Sequence, residues 1–393
     1  MNRAQTKHKT MEIPFHRPYI TEDEISEVLD TVRSGWLTMG PRTVRFENEF
    51  SAYTGAAHSI AVSSGTAALH LALRAAGLEA GDEVIVPSMT FTATAEVVCY
   101  FGGRPVLVDV ERETGNMSAE AAARAVTPKT RAIIPVHYGG QPCDMDGIMS
   151  LARSSNLRVI EDAAHSLPAS FGGKNVGAIG DMTCFSFYAT KPLAAGEGGM
   201  VTTENEEWAE RIRVLRLHGI SKDAWKRYSR GGSWFYEVVE PGYKYNMTDI
   251  QAALALAQLA KLDAMTARRK EIAGRYADAI SGSPGLSTTA LVPGRETSYH
   301  LFPLLVDPAA HTIDRARFIE ELGRLGIGTS VHFIPLHLHP FYRNEFGYSP
   351  GDFPGAEWLY ERIVSLPVYP GMSDEEVDYV SECVTDVSRK FSR

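Results

Sequence analysis

Two side chains from one stretch of this sequence can do chemistry together. Asp162 ends a short apolar run, Arg158-Val159-Ile160-Glu161, and Lys191 follows a β-rich run from Thr183 to Tyr188. A glycine cluster, Gly196, Gly198 and Gly199, comes soon after the lysine. An acid at the end of a buried strand and an amine at a strand-to-loop junction suit an aldehyde cofactor that carries a ring nitrogen. Pyridoxal phosphate is that cofactor: a lysine makes its Schiff base and an aspartate partners its pyridinium nitrogen. Each residue also has a plainer reading. A lone lysine in a loop is ordinarily surface charge, and Asp162 could cap a helix starting at Ala163.

The elements before Asp162 favour a common site. Apolar strands are predicted at 60–62, 82–86, 105–109, 131–136 and 157–161. Helices at 67–77, 93–101, 118–126 and 144–154 alternate with them. Such repetition predicts an α/β fold, with a mostly parallel sheet covered by helices on both faces. Ligands in such folds sit at the carboxyl ends of strands. Ser63, Phe91, His137 and Asp162 all lie just past predicted strand ends. The small residues Ser63-Ser64-Gly65-Thr66-Ala67 open a helix, where bare N–H groups and the positive dipole end can hold phosphate. Serine and threonine cap many helices with no ligand, so the signal is weak alone. Phe91 could equally be core, Ser186 could simply alternate outward on its strand, and His165 could be a satisfied polar residue.

The remainder supplies context. Thr21 and Glu24 form a capping box for a helix with Ile25, Val28, Leu29 and Val32 on one face, and a second helix covers 41–54. Residues 221–245 read as a long ordered loop of the functional or interface kind. A helix from Thr248 to about 280 has an alanine-rich first half that is apolar nearly all round, which predicts burial or a subunit contact. From about residue 281 an α+β unit is expected, with strands at 301–306 and 328–333 and helices at 315–325, 358–363 and 374–390. The division is a frayed tail over 1–12, a large domain over 13–265 and a small domain over 266–393.

The 393 residues are 44% hydrophobic and 22% charged, with a net charge of −9. That is ordinary for a globular protein and argues against a general nucleic-acid binder, which needs clustered cations. The four cysteines form no CxxC pair and read as reduced thiols. The polar, basic N-terminus has no apolar signal region, and no run reaches the ~18 apolar residues of a membrane helix. A cytoplasmic protein with no membrane contact is expected.

The strings SSGTAALHLAL, GDEVIVPSMTFTATA, PVHYGGQPCDMD, VIEDAAHS, FSFYATKPLAAGEGGMV, LRLHG, PGYKYNMTDIQAALALAQLAKLD and VHFIPLHLHPFY together resemble the DegT/DnrJ/StrS sugar aminotransferases. The likeness spans nearly the whole chain from Ile13. It implies pyridoxal-phosphate fold type I, with a large, mostly parallel sheet domain and a smaller α+β C-terminal domain. It implies that Lys191 binds the cofactor covalently and shuttles protons, and that Asp162 pairs with the ring nitrogen. Phe91 would stack on the ring, and His165 would lie on its phenolic-oxygen side, where many relatives have Gln. Gly65, Thr66 and Ser186 would hold the phosphate. Asn246 would reach that phosphate from a neighbouring subunit, making a homodimer with shared sites. Trp36, Thr38, Tyr188, His218, His332 and His337 are further candidates for touching substrate.

PGYKYNMTDI with HGISKDAW resembles the branch aminating C4 of UDP-4-keto sugars, such as the 4-amino-arabinose enzyme. VHFIPLHLHPFY is more like the general sugar group. The expected reaction is ping-pong transfer of the amino group of L-glutamate to a nucleotide-linked keto sugar. Amination at C3 of a dTDP- or GDP-linked sugar is the alternative. A dehydratase on the same scaffold would carry His where Lys191 stands. A non-catalytic regulator would lack the cofactor residues. No GxGxxG follows a first strand to suggest a nicotinamide enzyme, and no short His/Cys/Asp spacing suggests a metal.

Overall fold

The computed structural model describes residues 11–221 and 235–393. Most of the expected tail, and residues 222–234 of the expected loop with most of the SKDAW string, lie outside the described residues.

In chain order, α1 (Glu22–Ser34) and α2 (Pro41–Thr54) precede β1 (His58–Val62), α3 (Gly65–Ala75), β2 (Glu83–Pro87), α4 (Ala93–Cys99) and β3 (Arg104–Val108). Then come α5 (Ala119–Arg124), β4 (Thr130–Ile133), α6 (Met145–Ser155) and β5 (Arg158–Asp162). A two-residue hairpin, β6 (Ser170–Phe171) and β7 (Lys174–Asn175), leads to β8 (Met182–Ser186), β9 (Gly199–Thr203) and α7 (Glu206–Leu215).

Seven strands form one sheet in the order β1-β9-β8-β5-β4-β2-β3. Only β9 runs against the rest, being antiparallel to both its neighbours. The carboxyl ends of β1, β2, β5 and β8 therefore open on the same edge, and that direction brings distant loops together. The strands are apolar on both faces because helices cover both. Val84, Val86 and Ile160 pack with α3 and α4, while Ile85, Ile133 and Val159 pack with α5 and α6.

The long helix expected from Thr248 is two. α8 (Asp249–Ala260) and α9 (Leu262–Ile280) meet at Lys261, where φ is −115°. α8 is buried as its composition demands, packed on α1 and α2. The apolar side of α1 does not face inward, however. Ile25, Leu29 and Val32 are 44%, 46% and 52% exposed. The buried contact uses Glu24, whose carboxylate takes bonds from Gln258 and Lys261.

A smaller antiparallel sheet joins β10 (Leu286–Thr288), β12 (Phe302–Val306) and β13 (Ile363–Leu366), with the short β11 (Arg295–Glu296) pairing instead with β6. α9, α10 (Arg315–Arg324) and α13 (Asp374–Lys390) cover it around Tyr276, Phe302, Phe318 and Tyr369. Ile13 belongs to this second core, bonded to Gly326 and Gly328, although the sequence grouped residue 13 with the large domain. Two further expectations change. Residues 328–333 form no strand, only one bridge from Ser330 to Ser365. The helix expected at 358–363 is α12 (Pro354–Tyr360), preceded by α11 (Pro340–Phe346), and Ile363 starts a strand.

Beneath the strand ends lies a buried polar key. Glu161, fully buried, accepts from the Thr183 hydroxyl at 2.6 Å, Gly180 N–H at 2.8 Å and His137 Nε2 at 2.9 Å. Successive strand residues face opposite ways, so Glu161 points away from the face served by Asp162. His137 accepts Cys143 N–H on its other nitrogen and is spent on the fold. Glu161→Ala strands three donors in the core and should cost roughly 3–5 kcal/mol, read as a lower urea midpoint at unchanged slope.

Candidate active site

Asp162 and Lys191 line one cavity of about 420 Å³ at the carboxyl edge of the large sheet. That volume suits a cofactor-sized ligand. Asp162 is the last residue of β5 and 6% exposed. Its Oδ2 accepts the Thr94 hydroxyl at 2.8 Å and its Oδ1 accepts Ala164 N–H at 3.1 Å. Thr90 in turn bonds Thr94 at 2.8 Å. Burial pushes the Asp162 carboxyl upward in pKa, while the Thr94 and Ala164 bonds and the Lys191 charge oppose that push.

Lys191 sits in a tight turn after β8, its N–H bonded to the Tyr188 carbonyl at 2.8 Å. Burial lowers its pKa to about 8 against the raising effect of Asp162. An amine of that kind is neutral often enough near physiological pH to act as nucleophile and base.

Part of the cavity wall is a helix N-terminus, whose bare N–H groups can hold an anion. Gly65 and Thr66 open α3, and the Ser64 side chain caps it by accepting Ala67 N–H. Gly65 is required by space: a Cβ there would lie 2.8 Å from the Ser186 Cβ. Ser186, at the end of β8, completes this corner. Phe91 lines the mouth and is 60% exposed, its ring 6.1 Å from Phe333.

Imidazoles line the cavity as well. His165 is 4% exposed, stacks on Phe333 at 5.8 Å, and has no hydrogen-bond partner on Nδ1. His332 bonds Ser365 through Nδ1 at 2.9 Å and, with Tyr188, also lines the cavity. Burial, with Lys191 adding to it, holds His165 well below the usual histidine pKa and His332 at about 4.

Other candidates lie elsewhere. His337 is fully buried, 2.8 Å from Glu357 and edge-on to Phe353, so it is packing and cannot meet a ligand in the cavity. His218 is exposed, and its backbone N–H bonds the Tyr243 carbonyl. Trp36 donates its indole N–H to the Met39 carbonyl, while the carbonyl of Thr38 accepts Asp249 N–H. Asn246 is 8% exposed and accepts from Lys244 at 2.7 Å. None of these five lines the cavity formed by this chain.

Sequence reasoning missed Phe15, His16, Thr90, Thr94, His300 and Phe333. Thr90 and Thr94 were within reach, since they follow β2 as Phe91 does. The others come from the N-terminal segment and the smaller unit, and no local spacing ties them to β5.

The DegT/DnrJ/EryC1/StrS aminotransferase family profile matches residues 18–385. The spore coat polysaccharide biosynthesis protein SpsC of Bacillus subtilis is 51% identical over 376 residues, 95% of this chain and 97% of that protein. The structure is similar to the pyridoxal-phosphate form of a putative sugar aminotransferase from Streptococcus pneumoniae, with a TM-score of 0.90 and 38% identity over 97% of this chain and 99% of the other. It is also similar to Helicobacter pylori PseC, an aminotransferase involved in pseudoaminic acid biosynthesis, at a TM-score of 0.90 and 27% identity over 97% and 100%. With an acid and an amine of lowered pKa bordering one cavity and this likeness end to end, the chain belongs to the DegT/DnrJ/EryC1/StrS family and is a pyridoxal-phosphate-dependent sugar aminotransferase.

Proposed function

We propose that this enzyme transfers the amino group of L-glutamate to C4 of a UDP-linked keto sugar, in two half-reactions through the one cavity. The observation that carries this reading is Lys191 and Asp162 on the wall of a single buried pocket. The C4 and UDP assignment rests on the PGYKYNMTDI string.

The pocket residues fit the cofactor on two observations. His165 Nδ1 is a buried polar atom without a protein partner. The Gly65 backbone lies so close to Ser186 that no side chain fits between them, which leaves N–H groups bare for phosphate. When bound, pyridoxal phosphate supplies an electron sink and carries nitrogen between the substrates.

The side chains do the rest. Gly65, Thr66 and Ser186 hold the phosphate, and Asp162 keeps the ring nitrogen protonated. Phe91 covers one ring face, and His165 stands at the phenolic oxygen. Lys191 would take the proton from the donor's α-carbon and return it on the far side of the transferred nitrogen, two atoms along, which requires a neutral amine. In the second half-reaction it moves a proton the opposite way onto the sugar carbon. Tyr188 and His332 border the space left for substrate. Asn246 acts on the partner's phosphate in a homodimer. The exposed stripe of Ile25, Leu29 and Val32, with exposed Val238 and Val239, supports such an assembly, because apolar patches of this kind mark interfaces.

Purified enzyme should lose its visible cofactor absorbance in Lys191→Ala. Incubation with L-glutamate and UDP-, dTDP- and GDP-linked 3- and 4-keto sugars, read by mass, should aminate the UDP 4-keto sugar most efficiently. Preference for a 3-keto or dTDP/GDP sugar would move the substrate assignment, leaving the cofactor chemistry in place. Asp162→Asn should lower kcat by about a hundredfold or more, as loss of a charge-stabilising group does. Thr94→Val, removing one bond to that carboxylate, should cost roughly tenfold. In the cofactor-free protein, a lowered lysine pKa means deprotonation at lower pH. Reductive methylation of Lys191 should therefore rise through about pH 8 and level off above it. A midpoint near that of an ordinary lysine would refute the burial argument.

A further inference from the structure

A transfer in two halves sets a charge problem that the cavity must solve. The donor is an acid with a net negative charge, whereas the sugar ring that follows presents neutral hydroxyls. A wall of permanent cations would serve the first and be left unpaired by the second, at a high cost in a dry pocket. Among the described residues no arginine lines this cavity and Lys191 is its one lysine; the other basic side chains on its wall are the imidazoles of His16, His165, His300 and His332.

We propose that His300 and His332 form the subsite for a carboxylate of the amino donor, taking up a proton as the acid binds and releasing it before the sugar enters. This rests on the aminotransferase reading and assigns the acid-binding end of that same pocket.

His300 precedes β12, is 8% exposed, and makes no side-chain hydrogen bond among the described residues. Its ring centroid is 4.5 Å from that of His165, which lies 6.3 Å from that of His332. His332 commits Nδ1 to Ser365 and leaves Nε2 for a ligand. Among the described residues these imidazoles belong to no metal-holding group.

A fixed cation lies behind them. Arg269 on α9 is 3% exposed, has no acidic partner among the described residues, and makes one bond, from Nη2 to the Pro192 carbonyl at 3.3 Å. Its Nη1 is unpartnered. The guanidinium is close enough to His16 and His300 to disfavour their protonation. An uncompensated buried cation favours an anion nearby, and neutral imidazoles between the two can adjust to either substrate.

The sign follows from the neighbours. His300 faces His165, Lys191, His332 and Arg269, and His332 faces Lys191 and His165. Asp162, Cys184, Tyr188 and Glu197 line the same cavity, as does His16. Burial and the surrounding bases hold both imidazoles neutral in the protein alone. A carboxylate within hydrogen-bond reach adds the opposite charge and raises their pKa, so binding draws a proton from solvent. A neutral sugar hydroxyl adds no such charge, and the same nitrogens then accept or donate as neutral groups.

Glutarate, which has both acid groups but no amine to transfer, is the probe. Its binding to cofactor-loaded enzyme should be measured by calorimetry at pH 7.5 in two buffers of different ionisation heat. Uptake of about one proton per glutarate is expected. UDP-glucose should bind without uptake. His300→Gln and His332→Gln keep a neutral hydrogen-bonding group but cannot be charged. Each should reduce the uptake and weaken glutarate by about tenfold or more while leaving UDP-glucose affinity near wild type. Identical glutarate heats in the two buffers overturn the proposal without any variant. Variants that retain full uptake, or lose both ligands equally, overturn it too. Addition of L-glutamate to the wild type separates the two failures. If glutamate leaves the cofactor spectrum unchanged, the aminotransferase reading falls; if the spectrum changes but uptake is absent, only the subsite falls.

Discussion

A buried carboxylate at the end of a central strand is the constraint to which this structure answers. Asp162 sits where burial disfavours its charge, and bonds from Thr94 and a backbone N–H, with the nearby Lys191 amine, oppose that push. Unpaired, such a group would take up a proton or be expelled. The amine is under the reciprocal strain, since burial drives it towards neutrality. The pair is thus tuned by one dry cavity. The glycine turn, the threonine relay and the imidazole wall surround that cavity.

The sheet direction makes the pocket possible. β1, β2, β5 and β8 run the same way, so the α3 N-terminus, Phe91, Asp162 and Ser186 reach one edge from distant parts of the chain. Glu161, one residue from Asp162, does structural work on the opposite face with His137. Neighbouring acids thereby divide the labour: one bonds the layers together and the other faces the cavity.

The smaller unit closes the pocket. Ile13 anchors the N-terminal segment to that unit's core, and from there Phe15 meets His332 and His16 bonds the Ala189 carbonyl. The histidine wall is consequently made of four separate pieces of chain, and its chemistry depends on their mutual packing.

Much of this was legible in the residues. The alternation of apolar strands and helices predicted the large sheet, because a strand buried on both faces must be apolar throughout. The run ending in Asp162 and the glycine-flanked Lys191 pointed to a cofactor, because few local patterns place an acid and an amine at strand ends. Other features depended on contacts between distant segments. His337 and His332 have similar local contexts, yet one is locked to Glu357 and the other borders the cavity. The apolar side of α1 looked like a core face, but the docking of α8 through Glu24 left it outside. His300 and Arg269 gave no local signal. Local sequence determined which segments were strands, helices and turns, since period and capping act over a few residues. Tertiary structure decided which polar groups share a dry space, since burial and distance between remote segments set their charge.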